Sequence, residues 1–347
     1  MRFATYNVEW FSNLFADDGQ LLIDDGWSGR HDVTRRDQLA ALGRVFNALD
    51  ADAVMVIEAP ESNRKRSGVE ALENFAAHYD LRIRKALMGF DNHTQQEICL
   101  LYDPDMLTAS HDPRGDATGK KGSDQSPRFD GVFRIDLDID ATEDLVRWSK
   151  PPLEAALKTR DGTELRLIGV HAKSKAPHGA RGAAEVMRMS IANRRKQLAQ
   201  CLWLRKRVVE HLDAAEPLIV MGDFNDGPGL DEYEKLFGRS GVEVVQGGEG
   251  ELQLFDPHAR ALWGRRGQTL PATARFYLAK QKRWLSALLD YIMISPDLMS
   301  KRPEWRIWHP FDDQPCYDDA DLRAALLTAS DHFPVTLDLD LEASTAP

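Results

Sequence analysis

Residues 218–226 read Leu218-Ile219-Val220-Met221-Gly222-Asp223-Phe224-Asn225-Asp226. Four apolar residues in a row, two of them β-branched and stopped by glycine, have the length and composition of a strand buried on both faces. The run delivers Asp223 and Asn225 to its end, where an Asx turn is the ordinary explanation. The arrangement recurs, however. Phe3 to Val8 carries Asn7, Ala53 to Ile57 runs into Glu58, Leu165 to Val170 runs into His171, and Tyr291 to Ile294 follows Asp290. Ile98 to Tyr102 reads as a further buried strand. Two runs alternate and predict one wet face each: Phe133, Ile135, Leu137 and Ile139, and Val335, Leu337 and Leu339, the latter preceded by Asp331 and His332.

Helical spacing lies between these strands. Leu39, Leu42, Phe46 and Leu49 share a face behind the capping pair Thr34 and Asp37. A long helix is predicted over Ala183 to Leu212. Its apolar stripe is Met187, Ile191, Leu198, Leu202, Val209 and Leu212, and its opposite face carries Arg188, Arg194, Arg195, Lys196, Arg205, Lys206 and Arg207. That face is either solvated or phosphate-binding. Strands and helices intermix without a Pro, Gly or Ser-rich linker, which favours one α/β domain over residues 1–347. Within it, 111–129 is expected to be a substrate-side or mobile loop, and 342–347 a loose tail.

The 44 Lys and Arg against 55 Asp and Glu give a net charge of −11, which excludes a globally basic nucleic-acid coat. With 43% hydrophobic and 29% charged residues the composition is that of a globular protein, not a disordered one. Cys99, Cys201 and Cys316 are too few and too scattered for a disulfide framework, so a reducing compartment is expected. The opening MRFATYNVEW reads as a strand and not as a signal peptide, and no apolar run is long enough to span a bilayer. These features predict a cytoplasmic chain without membrane insertion.

Each polar residue at a strand end has an everyday role open to it, as a turn, a cap or a helix start. Taken together, Asn7, Glu58, Asp223, Asn225, Asp290 and Asp331 with His171 and His332 form the hard-oxygen and imidazole set that metal-assisted phosphoester hydrolysis requires. A calcium loop is a disfavoured rival, because the EF-hand spacing of Asp223, Asn225 and Glu234 places Pro228 where glycine is needed. His171 and His178 lack the i, i+4 spacing of a helical zinc pair.

In this order the motifs resemble the endonuclease/exonuclease/phosphatase family, which is deoxyribonuclease-I-like. They are Ala4-Thr5-Tyr6-Asn7-Val8-Glu9, Val56-Ile57-Glu58, Gly169-Val170-His171-Ala172-Lys173-Ser174, Gly222-Asp223-Phe224-Asn225-Asp226, Leu289-Asp290-Tyr291-Ile292 and Ser330-Asp331-His332. The resemblance implies a four-layer α-β-β-α sandwich, two packed mixed β-sheets flanked by helices. It also implies a Mg²⁺ or Mn²⁺ cofactor held by Glu58 with Asn7 and Asp331, and Glu9 in or just outside the ligand shell. Asp223 would activate the water, Asn225 hold phosphate or nucleophile, His332 stand at the phosphate with Asp290 behind it, and His171 bind the opposite oxygens. Some members back the first histidine with a glutamate. Here Gln96 aligns without a gap and Glu97 with a one-residue slip, and Lys173, two residues beyond His171 on its strand face, is a further source of positive charge.

The leading substrate expectation is DNA or RNA. From Pro257 to Leu289 no residue is acidic, whereas Arg260, Arg265, Arg266, Arg275, Lys280, Lys282 and Arg283 interleave with Trp263, Phe276, Tyr277 and Trp284. A small phosphodiester or a lipid head group is the alternative, the latter predicting an insertion hairpin that the sequence does not reveal. A catalytically silent scaffold is the remote third reading.

Overall fold

The computed structural model describes residues 1–92, 94–137, 143–177, 179–227, 238–262, 271–278 and 282–341. The first strands are β1 (Arg2–Asn7), β2 (Ala53–Ala59), β3 (Lys85–Met88), β4 (Glu97–Tyr102) and β5 (Leu107–His111). A short ribbon of β6 (Phe133–Ile135) and β7 (Asp144–Val146) follows, then β8 (Leu153–Thr159), β9 (Glu164–His171) and β10 (Leu218–Asp223). A hairpin of β11 (Ala274–Leu278) and β12 (Arg283–Ala287) precedes β13 (Asp290–Ile294), β14 (Glu304–Ile307) and β15 (Val335–Asp338). Among the described residues, one mixed sheet has the order β14-β15-β1-β2-β4-β3 and the second β13-β10-β9-β8-β5.

Strand parity builds the layers, because successive side chains point to opposite faces. Phe3, Met55, Ile57, Leu100, Leu167, Ile219, Met221 and Ile292 meet between the sheets. Ala4, Tyr6, Val54 and Val56 face outward against α1 (Arg35–Leu49), α2 (Gly68–His78) and the helix Ala320–Ala329. On the other side Ile168, Val170, Val220 and Tyr291 meet Trp203 and Leu204 of α3 (Ala183–Asp213) and Val242 and Val245 of the helix Gly241–Gln246. The result is the four-layer sandwich, with each fully buried aliphatic side chain contributing about 1.5–3 kcal/mol. At Gly169 the sheets approach so closely that a Cβ would sit 2.4 Å from Met55 Sδ.

The helix α1 begins as the sequence predicts, the Thr34 hydroxyl accepting the Asp37 N–H at 3.1 Å. In α3 the helix is as expected but its buried face is not. Arg194, Gln197, Cys201, Leu204, Val208 and His211 point inward, while Met187 is exposed and Leu198, Leu202 and Leu212 are only half-buried. Two of the supposedly solvated cations are thus interior: Arg207 pairs with Glu154 and Arg194 with Asp226, which removes the desolvation problem of a lone charge. Hydropathy cannot rank a buried, paired arginine above an exposed methionine. The wet face expected for β15 is likewise interior at Thr336, because β15 lies between β14 and β1 and Trp308 Nε1 donates to the Thr336 hydroxyl at 3.0 Å.

The predicted strand from Phe133 persists only to Ile135 as β6, and Ile139 lies outside the described residues, as does the tail 342–347. The segment 111–129 is fastened against α3. Trp203 Nε1 donates to Pro127 O at 2.8 Å and the Arg207 guanidinium to Ser126 O at 3.0 Å.

Gly222 adopts φ 140° immediately before Asp223, and a Cβ there would stand 2.0 Å from Val170 O. Gly222→Ala is therefore expected to cost more than about 2 kcal/mol of stability through strain and overpacking. Urea unfolding of the variant checks this, and an unchanged midpoint would contradict the close approach.

Candidate active site

The inward parity that fills the core continues to one end of both sheets and there becomes polar. In β10 Ile219 and Met221 lead to Asp223, in β9 Leu167 and Gly169 lead to His171, and in β1 Phe3 and Thr5 lead to Asn7. Asp223 stands opposite His171 on one side and Asp290 on the other in the strand register. Asn7 Nδ2 then crosses to the other sheet and donates to Asp223 Oδ2 at 2.9 Å.

Glu58 would face outward by parity, beside Val56. The pairing of β2 with β4 slips between Ile57 and Ala59, so Glu58 is the extra residue of a bulge, with φ 61°. A bulge re-aims a side chain at a cost in backbone strain. Glu58 Oε1 lies 4.0 Å from His171 Nε2, and its Oε2 accepts from Gln96 Nε2. These residues line a cleft of about 970 Å³ together with Glu9, Lys150, Lys173, Asn225, Asp331 and His332.

His332 and Asp290 form the pair that the sequence suggests: His332 Nδ1 is 2.7 Å from Asp290 Oδ2. The Thr273 hydroxyl donates to the same oxygen at 2.7 Å and accepts the Leu289 and Asp290 N–H groups at 3.0 Å. Burial opposes a charged His332, but the Asp290 carboxylate outweighs it, with Asp223 and Asp331 adding to the effect, and the imidazole is held well above its ordinary pKa. His171 goes the other way. Burial, Lys150 and His332 push it well below the ordinary value, leaving a neutral ring. Burial lifts Asp223 to about 7, partly countered by His332 and by hydrogen bonds from Asn225 and Asn7. Burial lifts Glu58 to about 7 as well, against the pull of Lys150.

Neither Gln96 nor Glu97 supports His171. Gln96 is taken by Glu58, and Glu97 points away, accepting from Asn92 Nδ2. The neighbour of His171 is Lys150, whose Nζ lies 3.3 Å from Nε2. Lys150 sits on the connection into β8 in Trp148-Ser149-Lys150-Pro151, a stretch with no periodicity or motif to single it out. Thr273 is equally hidden, since one threonine among many carries no signal. Glu9 is engaged by Arg30 and by Trp10 Nε1.

Buried amides brace the ends of the strands. Gln197 Nε2 of α3 lies 3.0 Å from the carbonyls of Lys173, Phe224 and Asn225, and Asn225, at φ 50°, donates its own N–H to Asp223 Oδ1 at 2.7 Å. The Ser330 hydroxyl donates to Asn7 O and accepts the His332 N–H, locking Asp331 and His332 onto β1.

The donor set suits a hard divalent cation. Asn7 Oδ1 is buried with no hydrogen-bond partner, and Glu58 presents a carboxylate to the same cleft. Asp223, Asp290 and His332 also bring one ligand atom each within 4.8 Å of one another. In that trio His332 Nδ1 and Asp290 Oδ2 already satisfy each other, and Asp290 Oδ1 is buried without a hydrogen-bond partner.

Fold and cleft together define a divalent-metal-dependent phosphoric ester hydrolase. The sequence profile of the Endonuclease/Exonuclease/phosphatase family matches residues 4–332, and the chain belongs to that family. A sequence comparison with the curated proteins finds no significant match. In three dimensions the chain is similar to TDP2 from Caenorhabditis elegans, at TM-score 0.50 and 13% identity over 97% of this chain and 73% of that one. It is also similar to an endonuclease/exonuclease/phosphatase from Bacteroides vulgatus (TM-score 0.49, 13% identity, 97% and 98% covered). The human Nocturnin catalytic domain with bound sulfate gives TM-score 0.47 and 15% identity, with 97% and 93% covered.

A role for Asp290 exerted through its contact with His332 predicts that their losses do not multiply. His332→Ala is expected to lower turnover by about 10²–10⁴-fold, and adding Asp290→Asn should cost little more. Turnover of both single variants and the double variant checks this. Multiplicative losses with rescue by added Mn²⁺ would make Asp290 a metal ligand instead.

Proposed function

We propose that the cleft hydrolyses the phosphodiesters of DNA or RNA by direct attack of water, with Mg²⁺ or Mn²⁺ held by Glu58, Asn7 and Asp331. The bound cation would supply Lewis-acid stabilisation of charge on the phosphoryl oxygens. The observation that carries the reading is the juxtaposition in one cleft of a buried carboxylate, Asp223, and an imidazole held protonated by Asp290, His332, their ligand atoms within 4.8 Å of one another. Asp223, near 7, suits a base that takes a proton from the attacking water. Asn7 and Asn225 orient its oxygens. Protonated His332 faces the developing charge and can return a proton to the leaving oxygen as the P–O bond breaks, with Asp290 fixing its tautomer. Neutral His171 accepts at Nε2 from Lys150 and positions it, and Lys150 and Lys173 supply positive charge to the non-bridging oxygens.

Support for a nucleic-acid substrate comes from the β11–β12 hairpin beside His332. Arg275 of β11 lies over Trp284 at 4.3 Å and over Phe311 at 5.1 Å, and Tyr277 and Trp284 are exposed. Base and phosphate recognition uses such pairs. Trp263, Arg265, Arg266 and Lys280 lie outside the described residues. The same hairpin favours a second reading. Phe276, Leu278 and Leu285 give the cleft an apolar wall, and an exposed aromatic hairpin is what a lipid head-group hydrolase would need. Strand alternation alone hides it from a reading of the sequence. Among the described residues no helix is long and apolar enough to cross a membrane.

Single-stranded DNA, duplex DNA, RNA, bis-p-nitrophenyl phosphate, inositol phosphates and sphingomyelin vesicles, each with Mg²⁺ or Mn²⁺, separate the readings. Cleavage of a nucleic acid is expected, and preferential cleavage of sphingomyelin would contradict it. Glu58→Gln should weaken Mn²⁺ binding by calorimetry and cut turnover at least about 10²-fold while leaving the unfolding midpoint within experimental error. Unchanged metal affinity would remove Glu58 from the ligand set.

A further inference from the structure

Beside Glu58 a smaller recess of about 200 Å³ opens, lined by Trp10, Phe11, Ser12, Asn13, Gln95 and Gln96. Trp10, Glu58 and Gln96 also line the main cleft, so the two spaces adjoin. Trp10 is the anomaly here. It sits between Val8 and Phe11, both fully buried, yet it is 45% exposed.

Several constraints hold this exposed ring. Its backbone adopts φ 60°, ψ 26°, a left-handed conformation that a bulky residue enters only at a cost. Its indole Nε1 donates to Glu9 Oε1 at 3.0 Å, and the other Glu9 oxygen is held by Arg30. Gly29, at φ 110°, lets the chain pass directly against the ring, where a Cβ would stand 2.7 Å from Trp10 Cγ. An apolar ring kept in solvent in one orientation, beside the carboxylate of Glu58, is pre-organised for a planar partner. The flank carries charge to match. Ser12 Oγ accepts the Glu61 N–H at 3.3 Å, tethering the loop that bears exposed Arg64 and Lys65.

We propose that Trp10 is a stacking shelf for the nucleobase flanking the scissile phosphate, with Arg64 and Lys65 meeting the next phosphate along the strand. This rests on the reading of the cleft as a phosphodiester hydrolase acting on nucleic acid. Gln95 offers an amide to the base edge, but the shelf itself is sequence-tolerant, since every base has a π-face.

The test is binding without turnover. A fluorescein-labelled oligodeoxythymidylate and an abasic tetrahydrofuran oligomer of equal length are titrated in EDTA by anisotropy. The wild-type chain is expected to prefer the base-bearing oligomer by about 10-fold or more. Trp10→Ala should shrink that preference at least about 5-fold by weakening only the base-bearing complex, and Trp10→Phe should keep most of it. Arg64→Ala with Lys65→Ala should weaken both oligomers alike and flatten the salt dependence. The same preference in Trp10→Ala as in wild type, or none in wild type, overturns the shelf. Cleavage of both oligomers with Mn²⁺ is read in parallel. Failure to cleave either would contradict the nuclease reading, whereas the base preference measured in EDTA decides the role of Trp10 independently of cleavage.

Discussion

Everything in this molecule hangs on the aliphatic layer where the two sheets face each other. Side chains alternate along a strand, so the residues that fill this layer and the residues that end it belong to the same face. Where Ile219 and Met221 give way to Asp223, and Phe3 and Thr5 to Asn7, the core turns into a reactive cleft without any change of direction. The cost is that carboxylates and imidazoles sit at the edge of an apolar medium. Burial there is the leading cause of the raised pKa values of Asp223 and Glu58 and of the lowered one of His171. The low dielectric that makes these groups costly also strengthens their interaction with phosphate.

The surroundings meet that cost with hydrogen bonds from outside the motifs. Thr273 braces Asp290, Ser330 ties His332 to β1, and Gln197 gathers three carbonyls behind Asn225. In α3 this explains a helix whose inner face is polar: it backs the second sheet and also anchors the turn after Asp223, with Arg194 and Lys175 converging on buried Asp226. Covering a sheet and holding a site are here done by one helix.

Much of this is legible in the sequence. Short apolar runs mark the buried strands, and the ordered polar residues at their ends include Asn7, Glu58, His171, Asp223 and His332, which line one cleft, and Asp290, which stands behind His332. Three kinds of feature are not legible. Lys150 reaches His171 from an irregular connection, so only three-dimensional proximity reveals it. The side on which Glu58 projects depends on a one-residue bulge, which no periodicity shows. The inner face of α3 defeats a hydropathy reading because Arg194, Gln197 and Arg207 are buried by partners that lie far away in sequence.

That this cleft works as a metal-dependent phosphodiester hydrolase is open to a single decisive assay. Hydrolysis of bis-p-nitrophenyl phosphate by the purified chain is followed before chelation, after exhaustive treatment with EDTA, and after Mn²⁺ is restored. Turnover should vanish with the metal and return with it. Turnover that persists undiminished in EDTA, or none with any divalent ion, would contradict a metal-dependent cleft.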